Sequence, residues 1–291
     1  MSADYELRSY ERKSGSSPPL PGTLEEPLLL LLEQFGPDFP NYFGPAMRKV
    51  LFSERDAADP FSDCAVFGSY AVPTSEAHPF AAHCNVWINV KSKVGLFGFV
   101  ITHPDHRGRG LARKVCEDVM RQHDAKFPKS LLLLGTGSAA AAKIYQSLGF
   151  AHLCGGFDNG LKGYNPNDLG EWILARRREL TDPHGTETAA ECFRWEKFTY
   201  AHWPDCCYLL TADGDAAPDR KLKAFGPLTS EEGFLQHAES TAVLVHASTQ
   251  RVVGVRVGNG DDCYLLQSVI GSEELCEQLR AQEASSSCSL L

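Results

Sequence analysis

The chain has 291 residues, 22% charged and 43% hydrophobic, with a formal net charge of −9, proportions that exclude wholesale disorder, a collagen-like chain and a coiled coil. Its longest leucine block, Leu28 to Leu32, falls far short of the ~20 apolar residues needed to cross a bilayer, and no basic-then-apolar stretch opens the chain, so neither a membrane span nor a cleaved secretory signal is expected. The acidic balance argues against broad nucleic-acid binding, which needs a basic surface to track phosphates.

Charge is spread unevenly. Residues 1–178 carry 20 basic and 19 acidic side chains, residues 179–291 carry 8 and 18. The step places a boundary near Arg176, Arg177 and Arg178, unless the acidic excess is only a solvated face. The expected organisation is a flexible leader over 1–22, a first domain over 23–178 and an acidic C-terminal α+β domain over 179–291. The ten cysteines are dispersed, with no CxxC pair and no zinc spacing, so they read as reduced structural thiols of a cytoplasmic protein that holds no metal.

In chain order, the polar, then Pro/Ser/Gly-rich leader gives way at Thr23, which can cap a helix containing LEEPLLLLLEQF. Gly36, Pro37 and Pro40 stop that helix, and a second is expected over about 42–52. SDCAVFGSYAV and HCNVWINV read as strands, followed by LFGFVIT. Next come a glycine-rich turn, a helix from Gly108 to His123, a strand Ser130 to Leu134, a small-residue helix Ser138 to Leu148, a strand from Phe150, a Gly/Asn/Asp-rich loop from Gly155 to Leu169, and a strand Glu171 to Arg176. Strand and helix alternating in this way predict α/β architecture around a mixed sheet.

Beyond Arg178 the pattern predicts a helix over about 188–201, a strand CCYLLTA, a helix from near Ser230, a hairpin of AVLVHA and RVVGVRVG, and a strand and helix in CYLLQSVI and SEELCEQLRAQ. The hairpin echoes NVWINV and VGLFGFV of the first part, so a shortened internal duplication is one reading. Trp195, Phe198, Tyr200 and Trp203 form an aromatic cluster that packs the two halves together rather than stacking bases, since its neighbourhood is acidic.

The sharpest chemical signal is THPDHRGRGLARKVCEDVMRQ, residues 102–122. A strand turns through Arg107, Gly108, Arg109 and Gly110 into a helix beginning at Leu111 and Ala112. Glycines let backbone N–H groups converge, and a helix N-terminus adds the positive end of its dipole, which together suit a pyrophosphate. Arg107, Arg109, Arg113 and Lys114 add charge, and residues 101–130 hold 7 basic and 4 acidic side chains. The turn is neither GxxxxGK[ST] nor GxGxxG, which lowers nucleotide hydrolysis and hydride transfer. By itself it could be a tight strand-to-helix turn and no more.

RGRGLA resembles the [RQ]xxGx[GA] loop of the GCN5-related N-acetyltransferase (GNAT) superfamily, with Arg107, Gly110 and Ala112 at the defining positions. Downstream, SAAAAKIYQSLGF (138–150) resembles that family's NxxAxxxYxxxGF signature at Ala141, Tyr145, Gly149 and Phe150, with Ser138 in place of the asparagine. The resemblance covers about residues 60–178. It implies a mainly antiparallel mixed sheet flanked by helices and splayed between its fourth and fifth strands, here the strand ending at Thr102 and the strand Ser130 to Leu134, with acetyl-CoA in the splay. It further implies pantetheine pairing with backbone of Phe99, Ile101, Thr102 and His103, and pyrophosphate on Arg107, Gly108, Arg109, Gly110, Leu111, Ala112 and Arg113. Ser138, Ala141 and Tyr145 complete the expected cofactor contacts. The C-terminal region, read as a degenerate second GNAT-like unit, lacks a second RxxGx[GA] loop and is not expected to bind CoA.

The implied chemistry needs a stabilised oxyanion, a neutral amine and a proton for the leaving thiolate. Tyr145 takes the acid role from its family position. The base is open among His103, His83 and Glu171, and a substrate amine arriving already neutral is a fourth route. Phe157, Tyr164 and Trp172 would line the mouth, or pack the core. The expected activity is acetyl transfer from acetyl-CoA to a primary amine of a small metabolite by direct attack. Alternatives are a protein or peptide N-acetyltransferase, a malonyl-CoA decarboxylase-like or longer-chain acyl-CoA enzyme, and a non-catalytic acyl-CoA-binding module. No nucleic-acid or membrane partner is expected, and homodimerisation is left open.

Overall fold

The computed structural model describes residues 5–12, 18–33, 51–52, 62–74, 80–136, 138–154, 172–178, 190–212, 240–257, 263–265, 275, 277–279 and 281. Two sheets organise them. The first contains β1 (Tyr5–Arg12), β2 (Cys64–Pro73), β3 (Ala82–Asn89), β4 (Val94–Thr102), β5 (Ser130–Thr136), β6 (Ala151–Cys154) and β7 (Trp172–Arg178), in the spatial order β1-β2-β3-β4-β5-β7-β6. Every neighbouring pair is antiparallel except β4 and β5, which run parallel. The second contains β8 (Phe193–Lys197), β9 (Thr241–His246), β10 (Val252–Val257) and β11 (Cys263–Leu265), antiparallel throughout in the order β11-β10-β9-β8. The mixed sheet and its helices agree with the fold class read from the sequence, and the expected C-terminal hairpin is β9–β10.

The helices are α1 (Glu25–Leu32), α2 (Leu111–Lys126), α3 (Ala139–Ser147) and α4 (Trp203–Ala212). In α2 the buried positions are Leu111, Val115, Cys116, Val119, Met120 and His123, a helical stripe with the lysines and arginines outside it. That stripe packs on the face of the first sheet carrying Phe67, Cys84, Val86, Phe97, Leu132 and Leu134. The opposite face carries Tyr10, Val66, Tyr70 and Ile101, and packs in one core with α1 and with Val243, Leu244 and Val253 of the second sheet. Because both faces are covered, β2, β3 and β5 are buried along nearly their whole length, and β2 and β5 are near-continuous apolar runs rather than alternating ones. No helix among the described residues is long and apolar enough to cross a membrane.

Four local expectations are corrected. The stretch expected as a flexible leader contains β1, paired with β2 along its whole length. Its central residues are exposed and only Tyr10 and Arg12 are buried, so an edge strand with little apolar content is held by ladder hydrogen bonds and a few tertiary contacts. Thr23 lies within a short 3-10 turn, Gly22–Leu24, and α1 follows without a side-chain cap. The helix expected over 188–201 is a 3-10 turn, Ala190–Cys192, followed by β8, where pairing to β9 overrides local helical pattern. CCYLLTA is helical, not extended, and belongs to α4, whose Pro204 sits in the first turn where a missing N–H does no harm. Short apolar runs of this kind do not distinguish buried helix from buried strand.

The aromatic cluster packs as expected. Tyr200 meets Trp87 of β3 at 5.7 Å between ring centroids, Phe198 and Tyr200 lie in the shared core, and the Trp195 indole N–H donates to the Leu279 carbonyl. The expected helix over 42–52 has only Leu51 and Phe52 among the described residues, and the segment beginning near Ser230 lies outside them. The described cysteine side chains, Cys64, Cys84, Cys116, Cys192, Cys206 and Cys207, are free thiols.

One polar cluster ties the two sheets together inside this core. Asp205 of α4 is fully buried, accepts from Arg251 Nε at 2.9 Å and from the Ser92 hydroxyl at 2.6 Å. Arg251 is 2% exposed and stacks over the Tyr208 ring at 4.9 Å. Burial pushes the Asp205 carboxyl up, and Arg251 and Ser92 pull it back. Ser92 belongs to the β3–β4 turn, Arg251 to the start of β10, so the cluster fixes α4 against both. Replacing Asp205 by Ala leaves a guanidinium buried without its carboxylate, which should destabilise the protein by about 3–5 kcal/mol in denaturant unfolding. A loss under about 1 kcal/mol would show that water reaches the pair.

Candidate functional site

The site is built where β4 leaves β5. The two strands pair only through Val94↔Leu131, Gly95↔Leu132 and Leu96↔Leu133. From Phe97 to Thr102, β4 continues on β3 alone among the described residues, and β5 turns to β7 on its other side. The sheet therefore opens into a wedge at the end where both strands finish, the splay expected from the sequence.

A β-bulge shapes the β4 wall of that wedge. His83 pairs with Ile101 and Asn85 with Gly98, so Phe99 and Val100 together oppose Cys84. Phe99 has φ +52°, a conformation uncommon for a bulky side chain, where backbone strain of order 1–3 kcal/mol must be held by its surroundings. His83 supplies part of that hold: its Nδ1–H donates to the Phe99 carbonyl at 3.1 Å. Cys84, beneath the bulge, is buried beside Cys116 of α2, and burial pushes its thiol up.

At the mouth, His103 follows β4 as the N-cap of a one-turn 3-10 helix, Pro104–His106, that leads into the turn. Gly108 and Gly110 have φ +74° and +73°, left-handed conformations that favour glycine. No atom lies within 4 Å of where a Cβ would stand at either, so the turn is open on its outer side. Gly110 is the N-cap of α2 and gives no side-chain cap, which leaves the first-turn N–H groups of a 16-residue helix facing outward. Leu111 turns its side chain into the core and offers only backbone to the turn.

Each arginine is steadied at one edge. Arg107 Nε donates to the Thr102 carbonyl at 3.2 Å, and Arg113 to the Ser147 hydroxyl at 3.2 Å. Arg109 donates to the Tyr5 hydroxyl at 2.6 Å and the Asp105 carbonyl at 3.2 Å. The Tyr5 hydroxyl in turn shares a hydrogen bond with His106 Nδ1 at 3.1 Å, so β1 reaches the turn. The arrangement fits a polyanionic phosphate group: an open glycine cradle, an uncapped helix N-terminus and positioned cations.

Tyr145 sits at the root of the wedge. It projects from α3 against Phe97, the first β4 residue beyond the paired stretch, at 5.8 Å between centroids, and against Phe150 at 6.3 Å. Ala142 shares its buried face. Burial pushes the phenol pKa up, which keeps the hydroxyl protonated. Ser138 caps α3, accepting from the Ala141 N–H at 3.3 Å, so it takes over a helix-capping task at the asparagine position of the motif.

The three base candidates separate. His103 accepts from the Asp105 N–H through Nδ1 at 3.4 Å, so its lone pair is turned into its own turn. His83 is fully buried, and its Nε2 accepts from the Tyr10 hydroxyl at 2.8 Å while Nδ1–H holds the bulge. Neither geometry is that of a base poised over a substrate. Glu171, Phe157 and Tyr164 lie outside the described residues, as does the side chain of Trp172. The residues that sequence reasoning missed are Tyr5 and Tyr10, because the stretch carrying them has the polar composition of a leader.

Residues 83–155 match the model of the FR47-like protein family. That span runs from β3 through the turn, α2, β5 and α3. No curated protein sequence matches the chain. Among solved structures, the ribosomal-protein-S18-alanine N-acetyltransferase of Escherichia coli is 17% identical, with 62% of this chain and 97% of that one covered and a TM-score of 0.40. A GCN5-related N-acetyltransferase from Kribbella flavida is 13% identical over 60% and 97%, TM-score 0.41, and Escherichia coli ElaA is 15% identical over 60% and 100%, TM-score 0.38.

Burial holds the His83 imidazole neutral, with its pKa lowered from 6.5 to about 4. A histidine that charges more readily unfolded than folded stabilises the fold fully above pH 6.5, and that contribution is lost as pH falls towards 4. The full difference is about 3 kcal/mol. Unfolding free energy should therefore decline over this window, and a His83→Asn variant, which cannot titrate, should show a shallower decline. Parallel pH profiles for the two proteins would refute the assignment.

Proposed function

We propose that this chain, whose residues 83–155 match the FR47-like protein family, belongs to the GCN5-related N-acetyltransferase superfamily and transfers the acetyl group of acetyl-CoA to a primary amine of a small molecule. The observation that carries the reading is the wedge between β4 and β5 with the open glycine turn and the uncapped α2 N-terminus at its mouth. Acetyl-CoA would supply an activated thioester, and the residues around the wedge suit its parts. Gly108, Gly110 and the first N–H groups of α2 would hold the pyrophosphate, with Arg107, Arg109 and Arg113 adding positive charge. Backbone of Phe99, Ile101, Thr102 and His103 would meet the pantetheine amides as a strand would. Backbone N–H groups of the bulged stretch would face the acyl oxygen as negative charge grows on it.

Tyr145 is the proton donor in this reading. Its phenol is held protonated by burial and stands over the point where the strands part, within the region a leaving thiolate would occupy. His83 and His103 both commit their acceptor nitrogens within the fold, which favours an amine that arrives neutral and loses its second proton to water after attack. The second sheet and α1 close one face of the first sheet in a common apolar core, which favours a compact acceptor over a long peptide.

The test is CoA release by the purified chain with acetyl-CoA and a panel of small amines, amino acids and peptides, alongside malonyl-CoA and amine-free controls. Amine-dependent release is expected. Tyr145→Phe should lower kcat by about a hundredfold with little change in KM. Gly110→Ala, forced into a left-handed conformation that costs about 1 kcal/mol, should raise the acetyl-CoA KM several-fold. kcat/KM should rise with pH up to the acceptor amine's own pKa. Release from peptides alone would move the acceptor class to proteins, amine-independent release of carbon dioxide from malonyl-CoA would indicate decarboxylation, and CoA binding without turnover would leave a binding module.

A further inference from the structure

We propose that Tyr10, Gly68 and His83 form a positioning relay that starts in β1 and sets the orientation of the Phe99–Val100 peptide, the bulged peptide of the wedge wall. The proposal rests on the acyl-CoA reading for its consequence and on the geometry below for its existence. Tyr10 pairs with Gly68 of β2, and Gly68 with Asn85 of β3. The Tyr10 ring lies across Gly68: a Cβ at that glycine would stand 2.4 Å from both the Tyr10 ring and its hydroxyl, and 2.7 Å from the Cys84 carbonyl. Only a residue without a side chain lets an aromatic from β1 cross β2 and reach β3. There its hydroxyl donates to His83 Nε2 at 2.8 Å, with the two rings stacked at 13°.

That bond fixes the imidazole tautomer. With Nε2 accepting, the ring proton resides on Nδ1, which donates to the Phe99 carbonyl at 3.1 Å. In a trans peptide the carbonyl and the following N–H point in opposite directions, so holding the Phe99 oxygen towards His83 aims the Val100 N–H away from it. The strained φ of Phe99 is thereby tied to a partner three strands away. Tyr10 and His83 touch no reacting atom in this scheme; they are positioning residues for a peptide that lines the acyl end of the wedge.

Phe99–Val100 is the sole Phe-Val step in the sequence, so the full chain labelled with carbonyl-13C phenylalanine and 15N valine gives one amide–carbonyl cross-peak that reports this peptide alone. The probe is measured with wild type, Tyr10→Phe, Gly68→Ala, His83→Asn and His83→Leu, together with kcat and KM for the acyl transfer and CoA binding by calorimetry. Tyr10→Phe, Gly68→Ala and His83→Leu should move the cross-peak and lower kcat by about tenfold, the effect of losing one buried hydrogen bond, with CoA affinity within about twofold because the phosphate cradle is elsewhere. His83→Asn, whose amide can donate from the Nδ1 position, should restore both peak position and kcat to near wild type. Should His83→Leu not fold, Tyr10→Phe decides, since it keeps the ring over Gly68 and removes only the hydroxyl.

A cross-peak that stays in place in Tyr10→Phe overturns the relay, as does a kcat that falls equally in His83→Asn and His83→Leu. A cross-peak that moves as expected in a chain that neither binds CoA nor turns over would instead overturn the acyl-CoA reading, with the relay intact.

Discussion

The structure depends on β4 keeping β5 as a partner for three register pairs and then losing it. Val94 to Leu96 are bound to Leu131 to Leu133, and among the described residues the remaining length of β4 pairs with β3 alone. Backbone N–H and C=O groups along such an edge have to be satisfied by something with the hydrogen-bonding character of another strand. Under the proposed function, the amides of a pantetheine chain would meet that requirement. The glycine turn that follows, with its open left-handed residues, then places a helix N-terminus where the anionic end of such a ligand would lie.

Holding the wedge open is a task shared by both halves of the chain. On one face α2 and α3 pack against Phe97, Leu132 and Leu134. On the other, α1 and the second sheet pack against Tyr10, Tyr70 and Ile101 in a common core, and the buried Asp205–Arg251 pair reaches Ser92 just before β4 begins. β4 is thus fixed at its start by a polar cluster from the C-terminal half and at its bulge by a histidine and tyrosine from the N-terminal side. Residues 179–291 carry an acidic excess, and among their described residues the buried polar side chains are Asp205, Thr241, His246 and Arg251.

The motifs were legible in advance. Arg107 to Ala112 and Ser138 to Phe150 combine residue types that work locally: glycines for left-handed turns, a serine for a cap, and alanine and tyrosine spaced to share a helix face. The strands and helices between Cys64 and Ser147 followed because their apolar patterns are long or strongly periodic. CCYLLTA was misread because a seven-residue apolar run fits either a buried strand or a buried helix, and only the packing of Cys206 and Leu209 into the core decides. Tyr5 to Arg12 was misread because an edge strand needs little apolar content, and the ladder to β2 that holds it is invisible along the chain.

By itself, then, the sequence determined the glycine turn and the helix that starts there, since each rests on interactions within a few residues. Where the two candidate histidines commit their ring nitrogens was decided only by tertiary structure. His83 and His103 are equivalent as residue types, but in the folded chain His83 receives a hydroxyl from β1 across Gly68 and gives its proton to a strained carbonyl, while His103 caps its own turn. A tautomer is set by the partners at both ring nitrogens, and here those partners lie 73 and 16 residues away, a distance along the chain over which local pattern carries no information.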